Sequence, residues 1–248
     1  MTVQHGGKTV YGATVGILML ETRFPRIVGD MGNAQTWPFP VQYRVVRGAT
    51  PDLVVRNDAS KLTAPFIEAA RELVASGADG ITTNCGFLAL IQEELKHAVG
   101  VPVATSSLMQ VPWIQALLPP GKRVGILTIS ADTLTTEHLN AAAIPAGTPI
   151  AGTDPAGEFS SGILNNRATL DFNRCKQENL DAAATLIEHN NDIGAIVLEC
   201  TNMVPYAADI RKRCGVPVYS IYSFVNWFHA GLLPSRFTMQ LDDPMFNG

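Results

Sequence analysis

The sequence predicts an α/β protein made of two similar, Rossmann-like halves with mostly parallel sheets. Short runs that are almost entirely Val, Ile and Leu alternate with helix-like segments, which is typical of parallel sheets covered on both faces. The run VGILTI at 124–129 repeats VGILML at 15–20, and Gly-Val-Pro-Val begins at Gly100 and again at Gly215, 115 positions later (215 − 100). Self-similarity at about half the chain length indicates a duplicated unit.

The boundary between the halves is predicted at the Pro-Pro-Gly-Lys segment 119–122, because proline and glycine interrupt the pattern there. The N-terminal half is then 1–118 and the C-terminal half 119–248, with the C-terminal helix able to pack back on the first half. We expect a pseudo-twofold relation between the halves. We also expect an active site between them, since open α/β sheets bind ligands at the carboxyl ends of their strands.

In the N-terminal half, apolar runs predict four strands and helical periodicity predicts three helices. The strands are expected at 13–20, 41–47, 79–85 and from 100 to about 105, and the helices over a segment ending near 76, at 87–98 and at 108–118. Asp58 or Ser60 is the expected cap of the first helix. The loop 24–40 is rich in Gly, Pro, Asn and Trp. Its length is typical either of a functional segment or of a surface excursion.

The C-terminal half repeats this order. Strands are expected at 124–129, 149–152, 194–200 and 215–218, and helices at 132–142, 173–190, 203–213 and 222–231. The segment 153–167, rich in Gly, Ser and Asn, is predicted as a loop, and 234–248 carries no clear pattern.

Composition argues against several classes of function. The net charge is −4 and no cluster of Lys and Arg stands out, which argues against a nucleic-acid partner. No apolar run reaches the roughly 18 residues of a membrane span, and no secretory signal is evident. Four cysteines without a C-x-x-C motif fit a reducing, cytoplasmic compartment and argue against structural zinc.

Cys85 and Cys200 are the candidate catalytic residues, because they occupy the same place in the two repeats, 115 positions apart (200 − 85). Each follows a predicted strand and precedes a predicted helix, whose N-terminus favours thiolate over thiol. A thiolate base and a thiol acid on opposite faces of a carbon acid could invert a stereocentre without a cofactor. Cys175 and Cys214 lack such surroundings and are predicted as core residues.

Polar residues near both cysteines are candidates for substrate binding. Glu199 has two interpretations that the sequence leaves open: it orients or deprotonates a neighbour, or it is a helix cap or a hydrogen-bonded group behind the site. Its carboxylate would also raise the pKa of a nearby thiol. Arg23 and Arg26 in the long loop could bind a substrate carboxylate through two hydrogen bonds, or they could be solvated loop charges. The flanking residues expected to fix the substrate are Thr83, Asn84, Gly86, Thr201 and Asn202.

These motifs resemble those of the aspartate/glutamate racemase superfamily, which includes amino-acid and hydantoin racemases, maleate isomerases and arylmalonate decarboxylases. Leu-Glu-Cys-Thr-Asn at 198–202 is similar to the second cysteine motif of that family, and Thr-Asn-Cys-Gly at 83–86 to the first. The resemblance covers nearly the whole chain. Two departures stand out: Asn84 precedes the first cysteine instead of following it, and Glu199 replaces a glycine.

The resemblance implies a cofactor-independent, PLP-independent racemase or epimerase acting on the α-carbon of an aspartate- or glutamate-like amino acid. It implies no metal, a small-molecule substrate (an amino acid or small dicarboxylate), no nucleic-acid or membrane partner, and it allows a homodimer. The alternatives are a hydantoin racemase, a maleate-type cis–trans isomerase, a malonate decarboxylase, or a non-catalytic dicarboxylate-binding protein. Glu21, Thr22, Thr128 and Ser130 match strand-end positions of the family and, with Arg23 of the loop, complete the expected substrate-binding set.

Overall fold

The computed structural model describes residues 3–57 and 59–237 and contains two four-stranded sheets. The strands of the first are β1 (Val15–Leu20), β2 (Val41–Val46), β3 (Gly80–Thr83) and β4 (Val103–Ala104). Those of the second are β5 (Arg123–Thr128), β6 (Ile150–Gly152), β7 (Ile193–Leu198) and β8 (Val218–Tyr219). All neighbouring strands are parallel, and the orders β2-β1-β3-β4 and β6-β5-β7-β8 are equivalent. The prediction of two similar α/β halves is confirmed.

Helices connect the strands within each half. The N-terminal half contains α1 (Pro51–Arg56), α2 (Thr63–Ser76), α3 (Gln92–Val99) and α4 (Val111–Leu117). The C-terminal half contains α5 (Thr136–Ala141), α6 (Glu158–Leu164), α7 (Phe172–His189), α8 (Ala207–Cys214) and α9 (Ile221–Leu232). Within the described residues, no helix is both long enough and apolar enough to cross a membrane.

The glycine that is repeated in the central strands has a packing reason. A Cβ added to Gly16 of β1 would lie 3.1 Å from the Leu73 side chain of α2. One added to Gly125 of β5 would lie 3.1 Å from the Leu186 side chain of α7. The nearest atoms are those of an isoleucine, Ile81 at 3.0 Å and Ile193 at 2.7 Å. In both halves this isoleucine and the helix leucine together leave little room for a side chain on the central strand, which gives the repeated glycine a packing reason.

The core is divided between two clusters of buried side chains. The larger cluster extends through both halves, whereas the smaller one lies on one face of β1. In the smaller cluster, Val15 and Ile17 pack with Phe224 and Phe228 of α9. The C-terminal helix thus packs on the N-terminal sheet and buries apolar surface of β1.

Two helices differ from the sequence prediction. The segment 153–167 was expected to be a loop but contains α6, whose Ser- and Gly-rich sequence has low helix propensity. Burial of Phe159 and Ile163 stabilises it. The unpredicted helix α1 carries a recognisable start signal, because Thr50 caps it through a bond from the Leu53 amide and Pro51 occupies its first turn.

The helices that follow the cysteines begin later than predicted. A 3-10 segment, Gly86–Ile91, precedes α3, and another, Thr201–Tyr206, precedes α8. Pro205 lies inside the second and lacks the N–H that an α-helical bond requires. Ahead of α2 the structure has a 3-10 turn at Ala59–Leu62 and places the cap position at Leu62 rather than Ser60, while Asp58 lies outside the described residues.

Candidate active site

Cys85 and Cys200 line one cavity between the two halves. Each cysteine lies just past the end of its strand, with one residue between them: Asn84 separates β3 from Cys85, and Glu199 separates β7 from Cys200. Both side chains are almost fully buried. The cavity holds about 360 Å³ of space free of protein atoms, part of which is open to solvent. It is lined by Leu20, Thr22, Phe24, Arg26, Pro51, Val55, Asn84, Cys85, Gly86, Phe87, Ile129, Ile163, Leu164, Glu199, Cys200, Thr201 and Asn202.

Hydrogen bonds to the neighbouring central strand fix the Cys85 strand end. The backbone N–H of Asn84 donates to the Leu18 carbonyl at 3.0 Å. The side-chain oxygen of Asn84 accepts the backbone N–H of Leu20 at 2.7 Å. Since Leu20 is the last residue of β1, this side chain satisfies a buried donor where the sheet ladder ends.

The Cys200 strand end is fixed in an equivalent way, but by a carboxyl group. The backbone N–H of Glu199 donates to the Leu127 carbonyl at 2.8 Å. Oε2 of Glu199 accepts from the Thr128 hydroxyl at 2.7 Å, and the carboxylate also accepts the backbone N–H of Ile129. Glu199 is fully buried, and this burial raises its pKa to about 7 despite both hydrogen bonds.

Direct contacts join the two strand ends across the boundary between the halves. The Thr201 hydroxyl donates to the Asn84 carbonyl at 2.7 Å, and the Ser107 hydroxyl donates to the Leu198 carbonyl at 2.6 Å. Gly86 packs directly against Glu199, whose carboxyl and carbonyl oxygens would overlap any Cβ at that position. The cavity therefore has a preorganised wall contributed by both halves.

The two thiols are protonated in the free protein. Burial, followed by the nearby Glu199 carboxylate, raises the pKa of Cys85 to about 12; N–H groups of Phe87 and Leu88 and the charge of Arg26 oppose this rise. Burial and Glu199 also raise the pKa of Cys200 well above its usual value. The local N–H groups do favour thiolate at both cysteines, as expected, but desolvation outweighs them, so the net shift of each pKa is upward.

The long loop contributes the cation of the cavity. Arg26 lies over the Phe24 ring, with 4.4 Å between its guanidinium carbon and the ring centroid. One of its N–H groups donates to Asp30 Oδ1 at 2.6 Å and another to the Thr22 hydroxyl at 3.0 Å. Asp30 also accepts from the side-chain amide of Asn202 at 2.6 Å. This part of the loop is therefore bonded to Thr22, just after β1, and to Asn202, just after Cys200.

The structure gathers some of the predicted site residues and separates others from the cavity. Thr22, Asn84, Gly86, Glu199, Thr201 and Asn202 line it with the two cysteines. Thr83, Thr128 and Ser130 do not line the cavity. Thr128 instead donates its hydroxyl hydrogen to Glu199, which does line it. Glu21 pairs with Arg47 at the surface, and Arg23 is exposed.

Sequence reasoning missed the apolar wall of the cavity. Pro51 and Val55 come from α1, and Ile163 and Leu164 from α6, the two helices that were not predicted. The capping signal at Thr50 could have located the first pair. Among residues 3–57 and 59–237, no group of three or more His, Cys, Asp and Glu side chains could hold a metal ion.

No family model matches the chain. The chain is similar to a dimethylsulfoniopropionate lyase of Durusdinium sp. clade D, with 25% identity over 230 residues that cover 89% of this chain and 75% of the relative. Dimethylsulfoniopropionate lyase 7 of Emiliania huxleyi (strain CCMP1516) is 24% identical over 229 residues, which cover 89% of this chain and 67% of the relative.

Solved structures agree with the topology. A variant of arylmalonate decarboxylase superposes with a TM-score of 0.60 at 18% identity, covering 88% of this chain and 92% of that one. A glutamate racemase of Bacillus anthracis superposes with a TM-score of 0.57 at 17% identity, covering 89% of this chain and 84% of that one. The aspartate racemase of Picrophilus torridus superposes with a TM-score of 0.54 at 14% identity, covering 92% of this chain and 96% of that one. The chain has the aspartate/glutamate racemase fold. The fold implied by the sequence motifs is confirmed, and the similarity to lyases supports an enzyme.

Proposed function

We propose that this protein is a lyase that cleaves dimethylsulfoniopropionate into dimethyl sulfide and acrylate. The observation that carries the proposal is the lining of the cavity, which combines one cation, one buried carboxyl group and an apolar wall. The similarity to dimethylsulfoniopropionate lyases over most of the chain supports the same reaction. The amino-acid racemase implied by the motifs is the second candidate.

The charges of the cavity suit a zwitterion. Arg26 and Glu199 are the ionisable groups other than the two thiols among the lining residues. The substrate carries a carboxylate at one end and a sulfonium at the other, so Arg26 is the partner for the first and Glu199 for the second. Because the carboxyl pKa is about 7, substrate binding through Glu199 should strengthen as pH rises through neutrality.

The apolar wall favours a sulfonium over an ammonium group. A dimethylsulfonium group has two methyl groups and no hydrogen-bond donor, so it can lie against Val55, Ile163 and Leu164 without leaving a donor unpaired. A substrate ammonium brings three N–H donors, and each would need an acceptor in a buried site. Phe24 and Phe87 add aromatic surface, which attracts cations.

The reaction is a β-elimination with one base. A thiolate removes a proton from the carbon next to the carboxylate, and the electrons of that C–H bond form the carbon–carbon double bond. The bond between the β-carbon and sulfur breaks, and its electron pair leaves with the sulfur as neutral dimethyl sulfide. The thiol, acrylate and dimethyl sulfide together carry the single negative charge that the thiolate brought. The leaving group needs no proton.

Cys85 is the better candidate for the base. Two backbone N–H groups, those of Phe87 and Leu88, and the cation of Arg26 favour its thiolate. The sulfonium of a bound substrate adds a further positive charge and lowers the pKa of the thiol when it is needed. Cys200 can donate its S–H toward the substrate carboxylate, which gains negative charge as the proton leaves.

The second candidate, an amino-acid racemase, is supported by the presence of both cysteines at one cavity. Inversion requires one thiol to remove a proton and the other to deliver one to the opposite face. A hydantoin racemase, a maleate-type isomerase or a non-catalytic dicarboxylate-binding protein would use the same cavity. A dicarboxylate fits its charges less well, because Arg26 is the one basic side chain that lines the cavity among the residues the structure describes.

The test offers the purified protein dimethylsulfoniopropionate and measures dimethyl sulfide in the headspace and acrylate in solution. We expect the two products in equal amounts, and activity should be lost in a variant with both Cys85→Ala and Cys200→Ala. The same preparation is offered L- and D-amino acids, hydantoins, maleate and arylmalonates. Racemisation of an amino acid without release of dimethyl sulfide would refute the lyase proposal in favour of the second candidate.

Recognition of the sulfonium is tested separately with two unreactive carboxylates. One carries a trimethylammonium group on the β-carbon, and the other carries an uncharged tert-butyl group at the same place. The native protein should bind the cationic compound more tightly, and Glu199→Gln should reduce that preference about tenfold, since it removes one charge interaction in a buried site. Equal binding of both compounds by the native protein would contradict the role assigned to Glu199.

A further inference from the structure

We propose that Asp30, acting through Asn202, orients an acceptor toward the S–H of Cys200 and so keeps this cysteine as a thiol in the free protein. Asp30 is then a positioning residue supplied by the long loop. The inference deepens the proposed function, because it separates the roles of the two cysteines. It concerns the free protein, however, and does not depend on which substrate is bound.

The inference rests on a chain of three groups. Nδ2 of Asn202 lies 2.6 Å from Oδ2 of Asp30. Oδ1 of the same amide lies 3.6 Å from the sulfur of Cys200, within hydrogen-bond range for sulfur. Asp30 and Cys200 are both more than nine-tenths buried, so water competes little for these bonds.

The chemistry of the three groups fixes the direction of both bonds. An ionised carboxylate can only accept hydrogen bonds, so the amide must turn its NH₂ toward Asp30. Its oxygen then faces Cys200 and can only accept. A thiol donates to that oxygen, whereas a thiolate would face it with like charge. The amide therefore favours the protonated form of Cys200.

Two further contacts hold the Asp30 side chain in place. Arg26 donates to Oδ1 at 2.6 Å, and the side chains of this ion pair are largely buried. The backbone N–H of Gly32 donates to the same oxygen at 2.8 Å. These charge-assisted bonds fix Oδ1, so Oδ2 is left to accept from Asn202.

The surroundings of Cys85 differ. Two backbone N–H groups, from Phe87 and Leu88, approach its sulfur, whereas one, from Asn202, approaches the sulfur of Cys200. In the described part of the chain, no side-chain oxygen accepts from Cys85, and the Asn202 oxygen accepts from Cys200. Titratable and charged groups also surround Cys200 and influence its proton: Glu199, Cys85, Asp30, Arg26 and Tyr206. Any test must separate their through-space effects from orientation by Asn202.

The experiment follows alkylation of each cysteine by iodoacetamide as a function of pH, with peptide mass spectrometry resolving Cys85 from Cys200 in the same sample. In Asp30→Asn the side chain at position 30 can donate as well as accept, so the amide of Asn202 is free to turn its NH₂ toward the sulfur. The pH at the midpoint of Cys200 alkylation should fall by about one unit. Below that midpoint, Cys200 should then be alkylated about tenfold faster than in the native protein. The midpoint of Cys85 should change less.

The control repeats Asp30→Asn in a protein that also carries Asn202→Ala. If Asn202 transmits the effect, most of the shift at Cys200 disappears there, as a double-mutant cycle detects. An equal shift with and without Asn202 would show a through-space charge effect and overturn the proposal, as would the absence of any shift. If Asp30→Asn does not fold, Asn202→Ala alone should lower the Cys200 midpoint by removing its acceptor, and an unchanged midpoint there overturns the proposal equally.

Discussion

The two strand ends that carry Cys85 and Cys200 have the same backbone and different chemistry. In each half, the residue before the cysteine donates its N–H to the matching carbonyl of the central strand, that of Leu18 or Leu127. In each half, its side chain accepts the next matching N–H, that of Leu20 or Ile129. In both halves, the residue before the cysteine therefore makes the same two hydrogen bonds to the central strand.

The side chain that accepts the second of these bonds is an amide in one half and an acid in the other. Asn84 satisfies the donor of its half without bringing a charge, whereas Glu199 brings a buried carboxyl whose pKa is raised to about 7. Backbone N–H groups approach both sulfurs, but only the sulfur of Cys200, among the described residues, also has a side-chain acceptor, the oxygen of Asn202. The two thiols therefore occupy equivalent backbone positions in unequal environments.

The largest expected effect tests this inequality directly. Cys85→Ala should lower kcat for release of dimethyl sulfide about 10³-fold, because it removes the proposed base. Cys200→Ala should lower kcat about tenfold, since elimination needs one base and no acid for the leaving group. Cys175→Ala is the control: that buried thiol does not line the cavity, and its removal should leave kcat unchanged. Equal, large losses at Cys85 and Cys200 would indicate a two-base reaction.

The charge difference between the strand ends should also appear in the pH dependence of stability. The pKa of Glu199 is raised from 4.5 in the unfolded chain to about 7 in the folded protein, so the folded state prefers the protonated acid. The stabilisation is complete below pH 4.5 and is lost as pH rises through about 7, and it amounts to roughly 3 kcal/mol.

Glu199→Gln should remove this dependence, because glutamine resembles the protonated acid and does not titrate. Urea unfolding of both proteins across this pH range gives the difference in the free energy of unfolding. Relative to the native protein, the free energy of unfolding of the variant should increase by roughly 3 kcal/mol as pH rises. A difference that stays constant with pH would mean that Glu199 titrates normally. Asn84→Asp is the opposite exchange, and it should introduce a similar dependence into the other half.

Contact between the two strand ends gives a smaller expected effect. Gly86→Ala places a methyl group against the Glu199 carboxyl and carbonyl oxygens, so the halves must separate or the strand end must shift. We expect a loss of about 1–3 kcal/mol in the free energy of unfolding, together with reduced activity. Gly231→Ala is the matched control, because a Cβ there meets open space on α9 and alanine favours helix. A loss of stability at Gly231 as large as that at Gly86 would show that the contact with Glu199 is not its cause.

Much of this arrangement could be predicted from the sequence, for a physical reason. The repeat places Cys85 and Cys200 at equivalent strand ends, and parallel sheets direct those ends to one edge. The protonation of the thiols could not be predicted, because burial depends on α1 and α6. Their short sequences lack strong helical periodicity, and tertiary packing decides their structure. The hydrogen bond from Asn202 to Asp30 joins residues 172 positions apart, so no local sequence pattern predicts it.

The smallest expected effect concerns the hydroxyl that supports Glu199. Thr128→Val keeps the shape of the side chain but removes the donor to Oε2, so the ionised carboxylate loses a bond worth about 1 kcal/mol. The pKa of Glu199 should therefore rise above 7 by about 0.7 pH unit. The infrared band of the protonated carboxyl, assigned with Glu199→Gln, follows this titration. Thr14→Val is the control, because the buried hydroxyl of Thr14 has no hydrogen-bond partner among the described residues. An equal shift in both variants would mean that general loss of polarity, rather than this bond, sets the charge that distinguishes the Cys200 strand end.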